Sequence, residues 1–217
     1  MKGSRLVFSS LGKKYLMALT GAALFLFVIA HLVGNLQVFL GPESINRYAH
    51  FLKSNPEILW PSRIGLLACV AIHLWASITL TIENNSTRDE RYAVNKVVGA
   101  TLASRIMIWS GAIIACFVGY HLAHFTLLWT NPEYAKLDVY DMIIAGFRQP
   151  AISGFYLLGV GLLCWHLSHG VGSMFQSLGL KNEAYRTRID RTSMLVAIVL
   201  FAGYASIPLA VLTGVVK

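Results

Sequence analysis

The chain has 217 residues, of which 56% are hydrophobic and 13% charged. A soluble domain carries roughly 25% charged residues, so this composition excludes a soluble globular domain and points to an integral membrane protein. The formal net charge of +8 is spread over connecting segments, the pattern that orients membrane helices, rather than gathered into a basic face for nucleic acid.

A membrane helix needs about 20 apolar residues. About five fit this length, which predicts an all-α bundle forming a single membrane domain over 1–217. The first span is predicted at 15–40, ended by Gly41-Pro42. Lys2, Arg5, Lys13 and Lys14 surround its start as in a signal peptide. The apolar run is too long for one and no A-x-A-like site follows, so it is read as a retained helix. The second span is predicted at 61–82, before Glu83-Asn84-Asn85. The third, at 105–129, stops at Asn131-Pro132. The fourth, at 150–175, is followed by Gly179, and the fifth occupies 194–215. The connections at 41–60 and 130–149 hold amphipathic stretches at 45–52 and 139–147, which suit short interfacial helices or plain loops. With the N-terminus cytoplasmic, twelve Lys and Arg fall on the inner side and six on the outer. That bias predicts an outer C-terminus.

Six of the seven histidines lie in these spans: His31, His73, His121, His124, His166 and His169. Ionisable side chains are costly in hydrocarbon and mark functional sites, so six point to metal, haem or a proton path. Cys69, Cys116 and Cys164 stand singly, without C-x-x-C or C-x-x-C-H, so zinc, iron–sulfur and covalent c-type haem lack ligands. His31 and His121 lie past the middle of outward-running spans, and His73 and His166 past the middle of inward-running ones. Depth therefore pairs His31 with His121 in the outer half and His73 with His166 in the inner half. Two axial histidines saturate a haem iron for electron transfer. His124 and His169 each follow a pair member by three residues and share its helix face. Each could replace its neighbour, bond a haem propionate or a quinone, or be satisfied by a carbonyl. The spacings His31–His73 and His121–His166 also form a weak internal echo.

The segments SLGKKYLMALTG (10–21), AHLVGNL (30–36), YAHFL (48–52), IHL (72–74), GYHLAHF (119–125), WHLSHG (165–170) and FQSLG (175–179) run through nearly the whole chain. In order and spacing they resemble a five-helix, single-polypeptide family. That family is the di-haem cytochrome b anchor of succinate:quinone oxidoreductases (succinate dehydrogenase and fumarate reductase). The resemblance implies two haem b groups and a quinone site in a cytoplasmic membrane. It implies axial ligands at His31, His73, His121 and His166, choosing His121 over His124 and His166 over His169. It implies partners on the cytoplasmic side, a flavoprotein carrying FAD and an iron–sulfur subunit, the latter docked on the N-terminal tail and on 83–104 and 176–191. Succinate chemistry would lie on those partners, and this chain would pass electrons to a quinone, menaquinone by its single-polypeptide type. Gly159-Val-Gly161 within a span is no dinucleotide fingerprint.

Under this resemblance, Lys13 and Arg105 are inner candidates for haem propionates, and Arg47, His50 and Arg148 outer ones. His50, Arg47 and Trp60 are quinone candidates, and His124 and His169 are open to either role. Gly21, Gly34, Gly111, Gly154 and Gly170 would let a porphyrin approach the backbone or let helices pack closely. Three other readings compete. The cytochrome b of a hydrogenase or formate dehydrogenase usually has four core helices and other histidine spacings. A histidine-relay transporter wants membrane carboxylates, which the predicted spans lack. A structural anchor leaves six membrane histidines unexplained.

Overall fold

The computed structural model describes residues 9–86 and 102–217, apart from the side chains of residues 85 and 102–105. Helix α1 (Ser10–Leu36) starts where Ser9 Oγ accepts the Gly12 amide at 3.1 Å, meeting one of the unpaired first-turn donors. It tightens into a 3-10 turn (Gln37–Leu40) and stops at Gly41. Gly41 has φ +95°, a conformation that residues with a Cβ rarely adopt.

Pro42 then opens α2 (Pro42–Ser54), and Pro56 opens α3 (Pro56–Ser86). Proline suits a first turn because its missing N–H has no helical partner there. Helix α4 (Leu102–Phe125) leads to a 3-10 turn (Pro132–Lys136) and to α5 (Val139–Phe147). Helix α6 (Pro150–Ser177) and helix α7 (Glu183–Leu212) complete the chain.

Several boundaries differ from the sequence expectation: α1 begins at Ser10 rather than 15, α4 ends at Phe125 rather than 129, and two further differences have visible reasons. Helix α3 begins at Pro56, because Pro61 does not break it. Only the carbonyl of Glu57 loses its helical partner, and it lies in an exposed first turn where water replaces the bond. Helix α7 begins at Glu183 rather than near 194, since Asn182 caps it by accepting the Tyr185 amide at 3.1 Å. Hydropathy marks where a helix enters the membrane, and a polar turn can precede that point.

Among the described residues, five segments are long and apolar enough to cross a membrane: Ser10–Leu40, Pro56–Asn84, Ile106–Phe125, Pro150–Ser177 and Glu183–Leu212. Their outward faces carry large apolar side chains such as Leu26, Val33, Ile64, Leu67, Leu158 and Leu195, all exposed. In water that belt would be costly, but lipid solvates it. The protein is a helical multi-pass membrane protein.

Helix α1 packs on α3, α6 and α7, while α6 packs on α1, α4 and α7. Helices α3 and α4 touch lightly. Neither α1 and α4 nor α3 and α6 pack closely against each other among the described residues. The cyclic order is therefore α3–α1–α6–α4, with α1/α4 and α3/α6 as diagonals and α7 laid over α1 and α6.

The amphipathic stretches at 45–52 and 139–147 are both helical, within α2 and as α5. These helices pack on one another and cap one end of the bundle. Asn46 Oδ1 accepts the Tyr140 amide at 3.0 Å, and Tyr140 donates its hydroxyl to the Lys217 carbonyl at 2.9 Å. Val38, Ile45, Ile143, Ile144, Phe147 and Val216 are buried between cap and bundle. Helix α5 starts where Asp138 Oδ1 accepts the Asp141 amide at 2.9 Å. The substitution Asp138→Ala removes that acceptor and is expected to cost about 1 kcal/mol. Faster hydrogen exchange confined to the amides at 139–147 would check this, and unchanged exchange there would count against the cap.

Candidate functional site

The diagonals carry the histidines. His31 on α1 meets His121 on α4 with ring centroids 5.8 Å apart and planes at 82°. Two imidazole nitrogens about 2 Å from one metal ion, on opposite sides, place their ring centroids about 6 Å apart. The centroid separation of the pair matches that spacing. On the other diagonal, His73 of α3 and His166 of α6 lie within electrostatic range of each other. Among the described residues, no group of three or more His, Cys, Asp or Glu is placed to hold a metal ion. The chain offers pairs.

Hydrogen bonding assigns the proton of His73. Its Nδ1 lies 3.1 Å from the Met17 carbonyl oxygen and 3.2 Å from Thr20 Oγ1. A carbonyl only accepts, and the Thr20 hydroxyl already donates to the Leu16 carbonyl at 2.7 Å. His73 Nδ1 is therefore the donor, which leaves the lone pair on Nε2, the arrangement a metal-ligating histidine requires. His166 Nδ1 lies 3.0 Å from Ser110 Oγ, an oxygen able to accept the same proton there.

The residue after each hydroxyl is glycine. A Cβ on Gly21 would lie 3.2 Å from His73 Cε1, and one on Gly111 3.6 Å from His166 Cε1. Each histidine ring rests on bare backbone. Gly34 is pressed by the Tyr48 ring instead, and Gly154 faces open space.

These contacts repeat. On α1, Thr20 precedes His31 by eleven residues, and on α4, Ser110 precedes His121 by the same interval. Eleven residues are about three turns, so hydroxyl and histidine share a face roughly 16 Å apart in height. Each of α1 and α4 supplies one histidine to its own pair and a hydroxyl to the other. The weak echo in histidine spacing is thereby a structural repeat, with α1/α3 answering α4/α6. The sequence reading missed Thr20 and Ser110. Their signal was present as Thr-Gly and Ser-Gly at equal distance before a histidine.

His124 does not join the diagonal. It is 0% exposed, with Nδ1 3.0 Å from the Tyr156 hydroxyl. The rings of Tyr120, Phe125, Tyr134 and Tyr156 surround it. The same Tyr156 hydroxyl lies 3.4 Å from His121 Nδ1. Tyr156 carries no motif and was not foreseen. Tyr134, which closes this cluster from the cap, is pushed above the usual phenol range by its burial and then by the Glu133 carboxylate, so it stays neutral. His169 is half-buried and lies within electrostatic range of Lys181 and Asp190. Those two residues form an ion pair at 2.5 Å against Gly172. His169 therefore belongs to the α6–α7 corner.

The remaining candidates are scattered. Lys13 is buried with its ammonium paired to Glu83, a bond that ties α1 to α3. Arg47 is exposed and pairs with Glu43 one turn away. His50, also exposed, shares a hydrogen bond with Ser54 at 3.3 Å. The exposed Trp60 ring carries the Arg63 guanidinium 5.4 Å from its centroid. Arg148 lies exposed at the end of α5. The side chain of Arg105 and most of the connection at 83–104 lie outside the described residues.

The chain is similar to the succinate dehydrogenase cytochrome b558 subunit of Bacillus subtilis (strain 168). Identity is 25% over 195 residues, covering 85% of this chain and 86% of that one. The resemblance read from the motifs is borne out by this whole-length similarity. No protein-family model and no solved structure matches the chain.

Proposed function

We propose that the chain is the di-haem cytochrome b membrane anchor of a succinate:quinone oxidoreductase, carrying electrons between an iron–sulfur subunit and membrane quinone. The observation that carries this reading is the pair of histidine diagonals, one with ring centroids 5.8 Å apart and one with each Nδ1 held by a hydroxyl of a neighbouring helix. Similarity to the named Bacillus subtilis subunit supports it over a hydrogenase or formate dehydrogenase cytochrome b. His31 and His121 would hold one haem b, and His73 and His166 the other. Bound there, each haem supplies a one-electron carrier. The chain's own residues orient the imidazoles through hydrogen bonds and exclude water with lipid-facing helices.

The N-terminus is cytoplasmic in this proposal, as the charge bias argues. The His73/His166 pair then lies nearer the flavoprotein and iron–sulfur partners, and the capped end lies outside with the quinone, menaquinone by type. The test is direct. Dithionite-reduced protein is expected to show b-type α-bands and about two haems per chain, and to co-purify with a flavoprotein and an iron–sulfur protein. A folded preparation lacking haem overturns the proposal.

The hydroxyl buttresses give a graded prediction. Ser110→Ala leaves His166 Nδ1 without the partner described above, and is expected to weaken haem retention at that pair roughly 10- to 100-fold. Thr20→Val is expected to do less, because the Met17 carbonyl still accepts from His73. Haem loss to apomyoglobin, followed spectrally, checks the order. Equal loss from both variants would contradict it.

A further inference from the structure

The two pairs are supported by different chemistry. His73 Nδ1 donates to the Met17 carbonyl and the Thr20 hydroxyl oxygen, and His166 Nδ1 lies 3.0 Å from the Ser110 hydroxyl. At His121 the partner is the Tyr156 phenol, 3.4 Å away, which is also 3.0 Å from His124 Nδ1. A phenol has one hydrogen. If Nε2 of His121 keeps its lone pair, Nδ1 of His121 donates to the Tyr156 oxygen. The Tyr156 hydrogen must then go to Nδ1 of His124, at the shorter distance. His124 in turn carries its proton on Nε2, the buried nitrogen that has no hydrogen-bond partner.

We propose that Tyr156, backed by His124, is the positioning residue for His121: a relay from imidazole to phenol to imidazole that orients this ligand and strengthens its electron donation. The inference rests on the haem reading above and extends it to two residues without an assigned part. A hydrogen bond from the distal ring nitrogen makes an imidazole a stronger donor to its metal, which favours the oxidised iron. The relay acts on the His31/His121 pair alone, so it makes the two sites unequal.

The surroundings suit a fixed relay. Tyr156 is buried against Phe117, Tyr120, Phe125 and Phe147. His124 is sealed from solvent, and a Cβ on Gly146 would lie 3.2 Å from its Cε1. The chain of bonds ends at His124 Nε2, which is buried and has no hydrogen-bond partner among the described residues.

The test uses the purified membrane complex with its haems. His31→Leu first identifies, by the component it removes, which spectral species belongs to the His31/His121 pair. Redox titration of Tyr156→Phe is then expected to raise the midpoint of that species alone. The expected size is about tenfold in the reduced-to-oxidised ratio, or about 59 mV for one electron. Its low-spin electron paramagnetic resonance signal is expected to shift as the His121 ring is released. His124→Leu is expected to move the same species in the same direction by less. His124→Asn, whose side-chain oxygen sits near the place of Nδ1 and still accepts from the phenol, is expected to restore the wild-type value.

An unchanged midpoint in Tyr156→Phe, or equal shifts in both species, overturns the inference. If Tyr156→Phe loses haem, the His124 variants decide: Asn at the wild-type value with Leu displaced supports the relay, and equal behaviour overturns it. A wild-type complex with no haem overturns the underlying reading, and the inference with it, before any variant is compared.

Discussion

His121→Leu is expected to remove one of two haems and leave the other with its spectrum intact. His31→Leu should give the same half-loss, while His73→Leu and His166→Leu should each remove the other haem. The reason is geometric. The diagonals α1/α4 and α3/α6 do not share a histidine, and about three helical turns separate their layers. In the proposed assignment each haem would be held by two rings from helices that barely touch, so the loss of one ring would remove half of its protein ligands. His124→Leu should keep both haems, because His124 faces Tyr156 and the cap rather than His31. Haem per polypeptide from pyridine haemochrome spectra measures each case. Loss of haem in His124→Leu, or loss of both in His121→Leu, would refute the assignment.

Gly159→Val is expected to produce the opposite signature, weakening both sites together. A Cβ on Gly159 would come within 2.3 Å of Phe117 Cδ2 and 2.5 Å of its Cε2. Both residues are buried, so neither side has room to yield. This is where α6 rests on α4, and those helices carry His166 and His121. Overpacking of this kind costs roughly 1–3 kcal/mol, and here it pries apart two elements that serve both diagonals. The temperature at which haem is released should fall in parallel for both species. Adding Phe117→Leu, which withdraws the ring atoms from Gly159, should recover most of the loss. Release of one species only, or no recovery in the double variant, would show that this contact does not set the spacing.

The two results separate chemistry from architecture, and that division also describes what could be read in advance. Span number and type were legible because each membrane helix must satisfy its own backbone and face lipid. This produces long apolar runs with few charges. The pairing of His31 with His121 was legible for a related reason, since position along a spanning helix translates directly into depth. The cap helices were legible only as one of two alternatives. Amphipathic stretches of about ten residues have too few turns to declare themselves, and α2 and α5 gain their burial from each other and from Val38 and Val216.

Boundaries were misread where polarity and helicity part company. Residues 183–193 are polar and helical, and hydropathy detects only the first property. The pairing of Lys13 with Glu83 was not foreseen, because the two are 70 residues apart and nothing local reveals it. Thr20, Ser110 and Tyr156 escaped for the same cause, since each acts through a side chain on a different helix.

The sequence by itself determined a five-span membrane bundle and the depth, hence the pairing, of four histidines. Periodicity and height are properties of one helix at a time, and the chain carries them locally. Only the tertiary structure decided which side chains meet Nδ1 of His73 and His166, that His124 stands behind Tyr156, and that the pairs are the two diagonals of the bundle. Those facts depend on contacts between helices far apart in the chain, where the position of a neighbour's hydroxyl sets the chemistry.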